Sequence, residues 1–490
     1  MDTPQRSPRW LVPAVVILLA LALVVAGFGI AKMLASPETP AAAPATPSSP
    51  SGPTGGALSS GDSLFPTIGN RGYDVQHYQI ELDYHRDGSI NAVTTITANA
   101  PAALTSFGLD LKGLEVTAIS TDGRPAGWTR DDHKLRVIPA GPVHGSFSTK
   151  VVYAGKPTSL TDPNGMREGW LVTEDGATVM AQPMGAMTWF PNNNTPADKA
   201  TFEITVHVPN GLEVAGSGDL LDQRDSATTS TWVWQQRNPI ATYLAMISIG
   251  QYEVYKSTMT LTDGRELPLW SFIDPSVGIS PAIAERLPKI IRNLESYFGP
   301  YPQSSSGIVF DRLEIGYSLE TQNRPVITFD DGDWLLYHEL AHQWFGDSLT
   351  VGDWGDIWLN EGFATYTEFV MPADSVGSDR GDARYYSLLN AASKDSEYWS
   401  PPPAPITDPK YLFSQKVVYN RSALTLWALR RQVGAKTFAK IVKTWTSRHR
   451  DSVVTTEQFT QLAEELSGKD LDAFFKAWLY TAGQPAQTHR

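Results

Sequence analysis

An α+β fold in two domains is predicted: an N-terminal antiparallel β-sandwich or saddle, then a mainly helical domain, after one N-terminal transmembrane helix. Three patterns carry this. Short runs alternate apolar and polar residues between 66 and 262, helical periodicity takes over from 263 to 490, and an uncharged apolar stretch runs from Trp10 to Ile30.

Arg6 and Arg9 precede that stretch. Its 21 residues span about 30 Å as a helix, one hydrocarbon core. The basic flank stays cytoplasmic, so residues 1–9 read as a cytoplasmic tail and 10–33 as a signal-anchor helix. The remainder then lies outside the membrane. A cleaved signal peptide and a secreted product is the alternative, against which Met33-Leu34-Ala35 is a poor cleavage site. Residues 34–65, rich in Pro, Ala, Ser, Thr and Gly, have too little apolar surface to order themselves and read as a linker.

In the β-rich part, Tyr78 to Tyr84, Lys150 to Tyr153, Phe202 to Val208 and Thr231 to Trp234 read as half-buried strands. Beyond it, a short strand around Leu267 to Trp270 precedes helices expected over 281–298, 423–431, 437–445, 456–466 and 471–480. Thr455 suits an N-cap and Gly468 a helix stop. With 41% hydrophobic residues the chain can bury large cores, and a net charge of −13 argues against nucleic-acid partners. No cysteine is present, so disulfides are excluded and any metal must be held by nitrogen and oxygen.

Chemistry concentrates in Tyr337-His-Glu-Leu-Ala-His-Gln-Trp-Phe-Gly346. His338 and His342, four apart, share one helical face and can grip a single zinc ion. Glu339 is placed to reach a water at that metal without binding it. The helix is expected to carry Trp344 and Phe345 in its buried stripe and to stop near Gly346. A second helix, Trp358 to Val370, can turn Glu361 back as the third ligand, leaving one tetrahedral position open, as catalytic zinc requires. Asp347, Asp353, Asp356 and Glu368 are candidates to orient the ligands.

The run from His338 to Glu368, HELAHQWFGDSLTVGDWGDIWLNEGFATYTE, resembles the zinc signature of the gluzincin aminopeptidase family that contains aminopeptidase N and leukotriene hydrolase. Weaker matches are Tyr73-Asp-Val-Gln-His-Tyr78, Phe298-Gly-Pro-Tyr-Pro302 and the segment Gly468 to Phe475, so the similarity covers roughly Tyr73 to Pro485. The resemblance implies a β-saddle followed by a thermolysin-like catalytic domain with one zinc. With 71 residues after Tyr419, it implies the short form without a C-terminal helical domain.

It also implies roles. Glu320, in Ile315-Gly-Tyr-Ser-Leu-Glu320, matches the carboxylate that receives the substrate's α-ammonium, with Leu319 and Thr321 where relatives carry Met and Asn. Tyr419 matches the tyrosine that stabilises the transition state, with Arg421 and Ser422 in place of Lys and Gly. Gln182 matches a substrate contact, but Met184 stands where a second acidic or amide group is usual, so weaker amine anchoring is expected.

The function implied is a zinc-dependent aminopeptidase acting on peptides with a free N-terminus, Glu339 serving as general base and Tyr419 as oxyanion donor. Two alternatives stand beside it. One is a membrane-anchored binding protein with an inactive peptidase domain, whose signature would be loss of Glu339, a ligand or Tyr419. The other is endopeptidase or epoxide hydrolase chemistry on the same zinc site.

Overall fold

The computed structural model describes residues 54–370 and 378–486. The tail at 1–9, the helix at 10–33 and most of the linker lie outside the described residues. Among the described residues, no helix is long and apolar enough to cross a membrane.

The first part is β-rich. Alternation dictates its strands: in Asp74–Tyr84 the buried Tyr78, Ile80, Leu82 and Tyr84 are interleaved with Gln79, Glu81 and Asp83. The main path of an 11-stranded sheet runs Asp219–Asp225, Thr229–Ile240, Ala200–Pro209, Asp74–Tyr84, Ile90–Asp110, Val143–Gly155, Glu115–Thr121 and Arg124–Pro125. All four strands expected here are present, each longer than its apolar run. One expectation is corrected: the sheet is not wholly antiparallel, because Ala200–Pro209 pairs in parallel with Asp74–Tyr84, Ile204 opposite Ile80. These strands are far apart in sequence, so no tight hairpin forces them to be antiparallel. A second, five-stranded sheet contains Arg167–Val172 and Ala177–Met180 and leads into the loop carrying Gln182.

The linker's end is also more ordered than its composition suggests. Thr54–Gly55 pairs with Ile90–Asp110. Asp62 accepts backbone N–H bonds from Leu64, Phe65 and Trp354 at 2.8–2.9 Å. Leu64 and Phe65, the last two residues of the linker, are buried and anchor it.

Sheet membership puts the change of architecture slightly earlier than residue 262. Glu253–Thr260 pairs along its whole length with Glu266–Ile273, in a four-stranded sheet completed by Val309–Phe310 and Val326–Ile327. The helices follow: α1 Ala282–Phe298, α2 Asp333–Ala341, α3 Trp358–Val370, α4 Ser378–Ala392, α5 Arg421–Val433, α6 Ala435–Arg448, α7 Thr456–Ser467 and α8 Asp472–Phe475. In α1 the buried Ile283, Leu287, Ile290, Ile291, Leu294 and Phe298 form the apolar stripe, and Gly299 at φ 93° ends it. Thr455 and Gln458 form a reciprocal capping box at α7, and Gly468 closes that helix at φ 65°.

Three helix expectations change. α2 ends at Ala341, before Gly346. Trp344 N–H bonds to Ala341 O, while Asp347, Ser348 and Leu349 reach back five residues, so the α ladder is lost as Phe345 turns in to stack on Phe363 at 4.1 Å. The expected helix 471–480 is α8 followed by a π-helical turn, Lys476–Tyr480. α4 is not expected from periodicity, since its apolar stripe is interrupted by Gly381, Asp382 and Arg384.

α3 and α5 pack closely enough that a Cβ on Gly362 would lie 2.6 Å from Ser422 Cβ. This fixes the rotation of α3 and therefore the aim of Glu361, the residue before the glycine.

Candidate active site

α2 and α3 bring His338, His342 and Glu361 to one point. The two Nε2 atoms are 3.3 Å apart, and each is 3.4 Å from Glu361 Oε2. Ligand atoms about 2.0–2.1 Å from a tetrahedral zinc lie about 3.3–3.4 Å from one another, so the triangle has the dimensions of three tetrahedral corners. All three residues are buried, and Glu361 Oε2 has no hydrogen-bond partner. His342 Nδ1 lies 2.9 Å from Phe345 O. Donation of Nδ1–H there leaves the Nε2 lone pair for a metal. The turn that ends α2 early thus supplies the carbonyl that orients a ligand.

Charge points the same way. Glu320, Glu339, Glu361 and Asp347 are all buried around the two imidazoles. Burial opposes ionisation of Glu361, but His342 and His338 overcome it and hold the carboxyl at about 2. Burial would lower His342, yet Glu361, Glu320 and Glu339 drive it well above the ordinary imidazole value. So dense a set of carboxylates calls for a cation. Nitrogen and oxygen donors at these spacings fit one zinc ion.

The other expected residues line the same cleft, of about 850 Å³. Glu339 is pushed up to about 8, first by burial and then by Glu361, with His342 opposing. Tyr419 sits on a π-helical turn, Gln415–Asn420, with its ring stacked on His338 at 5.8 Å. Burial and three carboxylates raise its phenol well above 10. From the β-rich part, Gln182 Nε2 donates to Glu320 Oε1 at 2.8 Å. Leu319 pairs with Val326 in a short antiparallel bridge that directs Glu320 inward despite the altered motif around it. Burial raises Glu320 to about 7; Glu361 and Glu339 add to this and His342 counters it.

Residues 329–478 match the model of the peptidase family M1 domain. The chain is 29% identical to an M1 zinc metallopeptidase from Deinococcus radiodurans whose crystal structure superposes with a TM-score of 0.79, covering 88% of this chain and 100% of that one. The chain is thus similar to the peptidase family M1 domain over residues 329–478 and to a two-domain M1 zinc metallopeptidase over most of its length. A mutant of the Deinococcus metallopeptidase bound to a Tyr-Ser-Ala substrate superposes with a TM-score of 0.80 at 29% identity, covering 87% of this chain and 99% of that one. Among curated relatives, aminopeptidase N of Streptomyces lividans is 24% identical over 444 residues, 84% of this chain and 50% of the relative. A probable aminopeptidase of Sulfurisphaera tokodaii is 24% identical over 409 residues, 77% of this chain and 50% of the relative. The chain thus spans about half the length of the curated relatives it matches.

Within this site, the departures flanking Tyr419 have structural uses. Arg421 donates to the carbonyls of Trp399, Trp478 and Thr481, capping the π-helical turn near the C-terminus. Of the candidate orienting acids, Asp353 binds Ser63 and Asp356 binds Thr456, so both hold loops together. Asp347 is the one buried beside the ligands, and the Glu368 side chain lies outside the described set. Several contacts had no signal in the sequence reading. Gln343 Nε2 donates to Glu320 O, and Lys199 Nζ from the β-rich part bonds Asp347 O and Ser348 O at 2.9 and 2.7 Å. Burial lowers Lys199 to about 7 against the pull of Asp451 and Asp347. The position of Gln343 directly after His342 was the only available hint for it. Nothing marked Lys199.

Proposed function

We propose that the protein is a zinc-dependent aminopeptidase that hydrolyses the first peptide bond of peptides with a free N-terminus. The observation that carries this reading is Glu320, a buried carboxylate held by Gln182 in the same cleft as the zinc ligands. It provides an acceptor for the ammonium group of a substrate's first residue. His338, His342 and Glu361 hold the metal. When bound, zinc supplies a Lewis acid that polarises a carbonyl and acidifies a water molecule.

The chain's own side chains do the rest. Glu320 pairs with the α-ammonium and fixes which carbonyl is attacked. Glu339 removes a proton from the attacking water and returns one to the leaving amine. The Tyr419 hydroxyl, kept protonated by its surroundings, donates to the oxygen on which charge develops. The aminopeptidase names of relatives and the Tyr-Ser-Ala substrate of the Deinococcus metallopeptidase mutant support the reading. With the apolar stretch at 10–33 as a signal anchor, or as a cleaved signal, the cleft works outside the cytoplasm on extracytoplasmic peptides.

The test compares a short peptide with its N-acetylated form. The free peptide should lose its first residue and the blocked one should resist. Cleavage of both at equal rates would make the protein an endopeptidase.

A further inference from the structure

The cleft contains a carboxylate that this chemistry leaves unused. Glu168, on strand Arg167–Val172, is 1% exposed. Its Oε2 accepts the backbone N–H groups of Met184 and Gly185, both at 2.9 Å. Its Oε1 is buried without a hydrogen-bond partner, in a residue that lines the cleft. An unmatched buried carboxylate oxygen is costly until a donor reaches it.

The acids of the cleft fall into two electrostatic sets. Burial pushes Glu168 up to about 8, with Asp162 adding to the rise. Glu320 responds, after burial, to His342, Glu361 and Glu339. Tyr317 adjoins both sets, feeling the charges of Glu168, Asp162 and Glu320. Its hydroxyl is donated to Arg167 O at 2.7 Å, which leaves the ring as its contact surface. Met166 lines the same cleft.

Resting on the aminopeptidase reading, the residue whose ammonium meets Glu320 must carry its side chain into this cleft. We propose that Glu168, aided by Asp162, determines specificity for that side chain and selects a guanidinium or ammonium head, arginine or lysine, at the first position. The aliphatic stem packs on Met166 and the Tyr317 ring, and the head donates to the free Oε1. The arriving cation restores the carboxylate, since an opposite charge at contact lowers a raised carboxyl.

The test uses the zinc-loaded protein and two peptides that differ only in their first residue, arginine or its neutral isostere citrulline. The wild type should favour arginine in kcat/KM by about 10–100-fold, as one buried charge-assisted hydrogen bond allows. In Glu168→Gln, which keeps an oxygen for the Met184 and Gly185 N–H groups, the preference should shrink to within about threefold. Equal wild-type rates on the two peptides, or an undiminished preference in Glu168→Gln, would overturn the assignment. If that variant does not fold, the wild-type comparison decides alone. Cleavage of acetylated peptides with neither free peptide cut would instead remove the aminopeptidase reading, and this assignment with it.

Discussion

The zinc end and the amine end of the cleft are built from different kinds of sequence. The zinc end lies within one short stretch, His338 to Glu361, on α2, the turn that ends it, and α3, whose close packing on α5 is set by Gly362 against Ser422. The amine end joins Gln182 and Glu320, 138 positions apart, through a single 2.8 Å hydrogen bond between the two parts of the fold. Local spacing can specify the first. The second exists only once a β-sheet loop and an irregular segment have folded against each other. Metal binding should therefore survive damage to the amine end, whereas the amine end matters only when the metal is held.

The sharpest break in that comparison is loss of a ligand. His342→Ala or Glu361→Ala should abolish stoichiometric zinc, measured by elemental analysis, and take hydrolysis to background. Next is Tyr419→Phe, expected to lower kcat by about 10²–10³ with zinc retained. Glu320→Gln should cost about 10–100-fold in kcat/KM on free-amine peptides while zinc stays bound. Zinc loss in that variant would mean the two ends are not separable. The smallest effect is expected at Thr455→Ala, where loss of the capping box should cost about 1 kcal/mol of stability by thermal unfolding and leave specificity alone.

The same division explains what the sequence made legible. His338, Glu339, His342 and Glu361 were readable because helical periodicity converts spacing directly into position. The strands were readable through alternation, as at Tyr78, Ile80 and Leu82. The early end of α2 was not, because it depends on Phe345 finding Phe363 on another helix. The parallel pairing at Ile204 and Ile80 was hidden for the same reason, since one strand cannot announce its partner. Glu168 escaped notice because a lone acid in a strand resembles any solvated one. Only folding reveals that it is buried, half-matched and part of the cleft lining. Met184 illustrates the converse: the missing acid at that position was visible, while the carboxylate bound to its backbone came from a different strand.

In the proposed reaction one side chain, Glu339, moves protons beside a metal it does not bind. Glu339→Gln measures this most directly, by zinc content and turnover on the same preparation. One zinc per chain should remain while kcat falls by at least about 10²–10⁴. Turnover at the wild-type rate with zinc in place would exclude Glu339 as the general base.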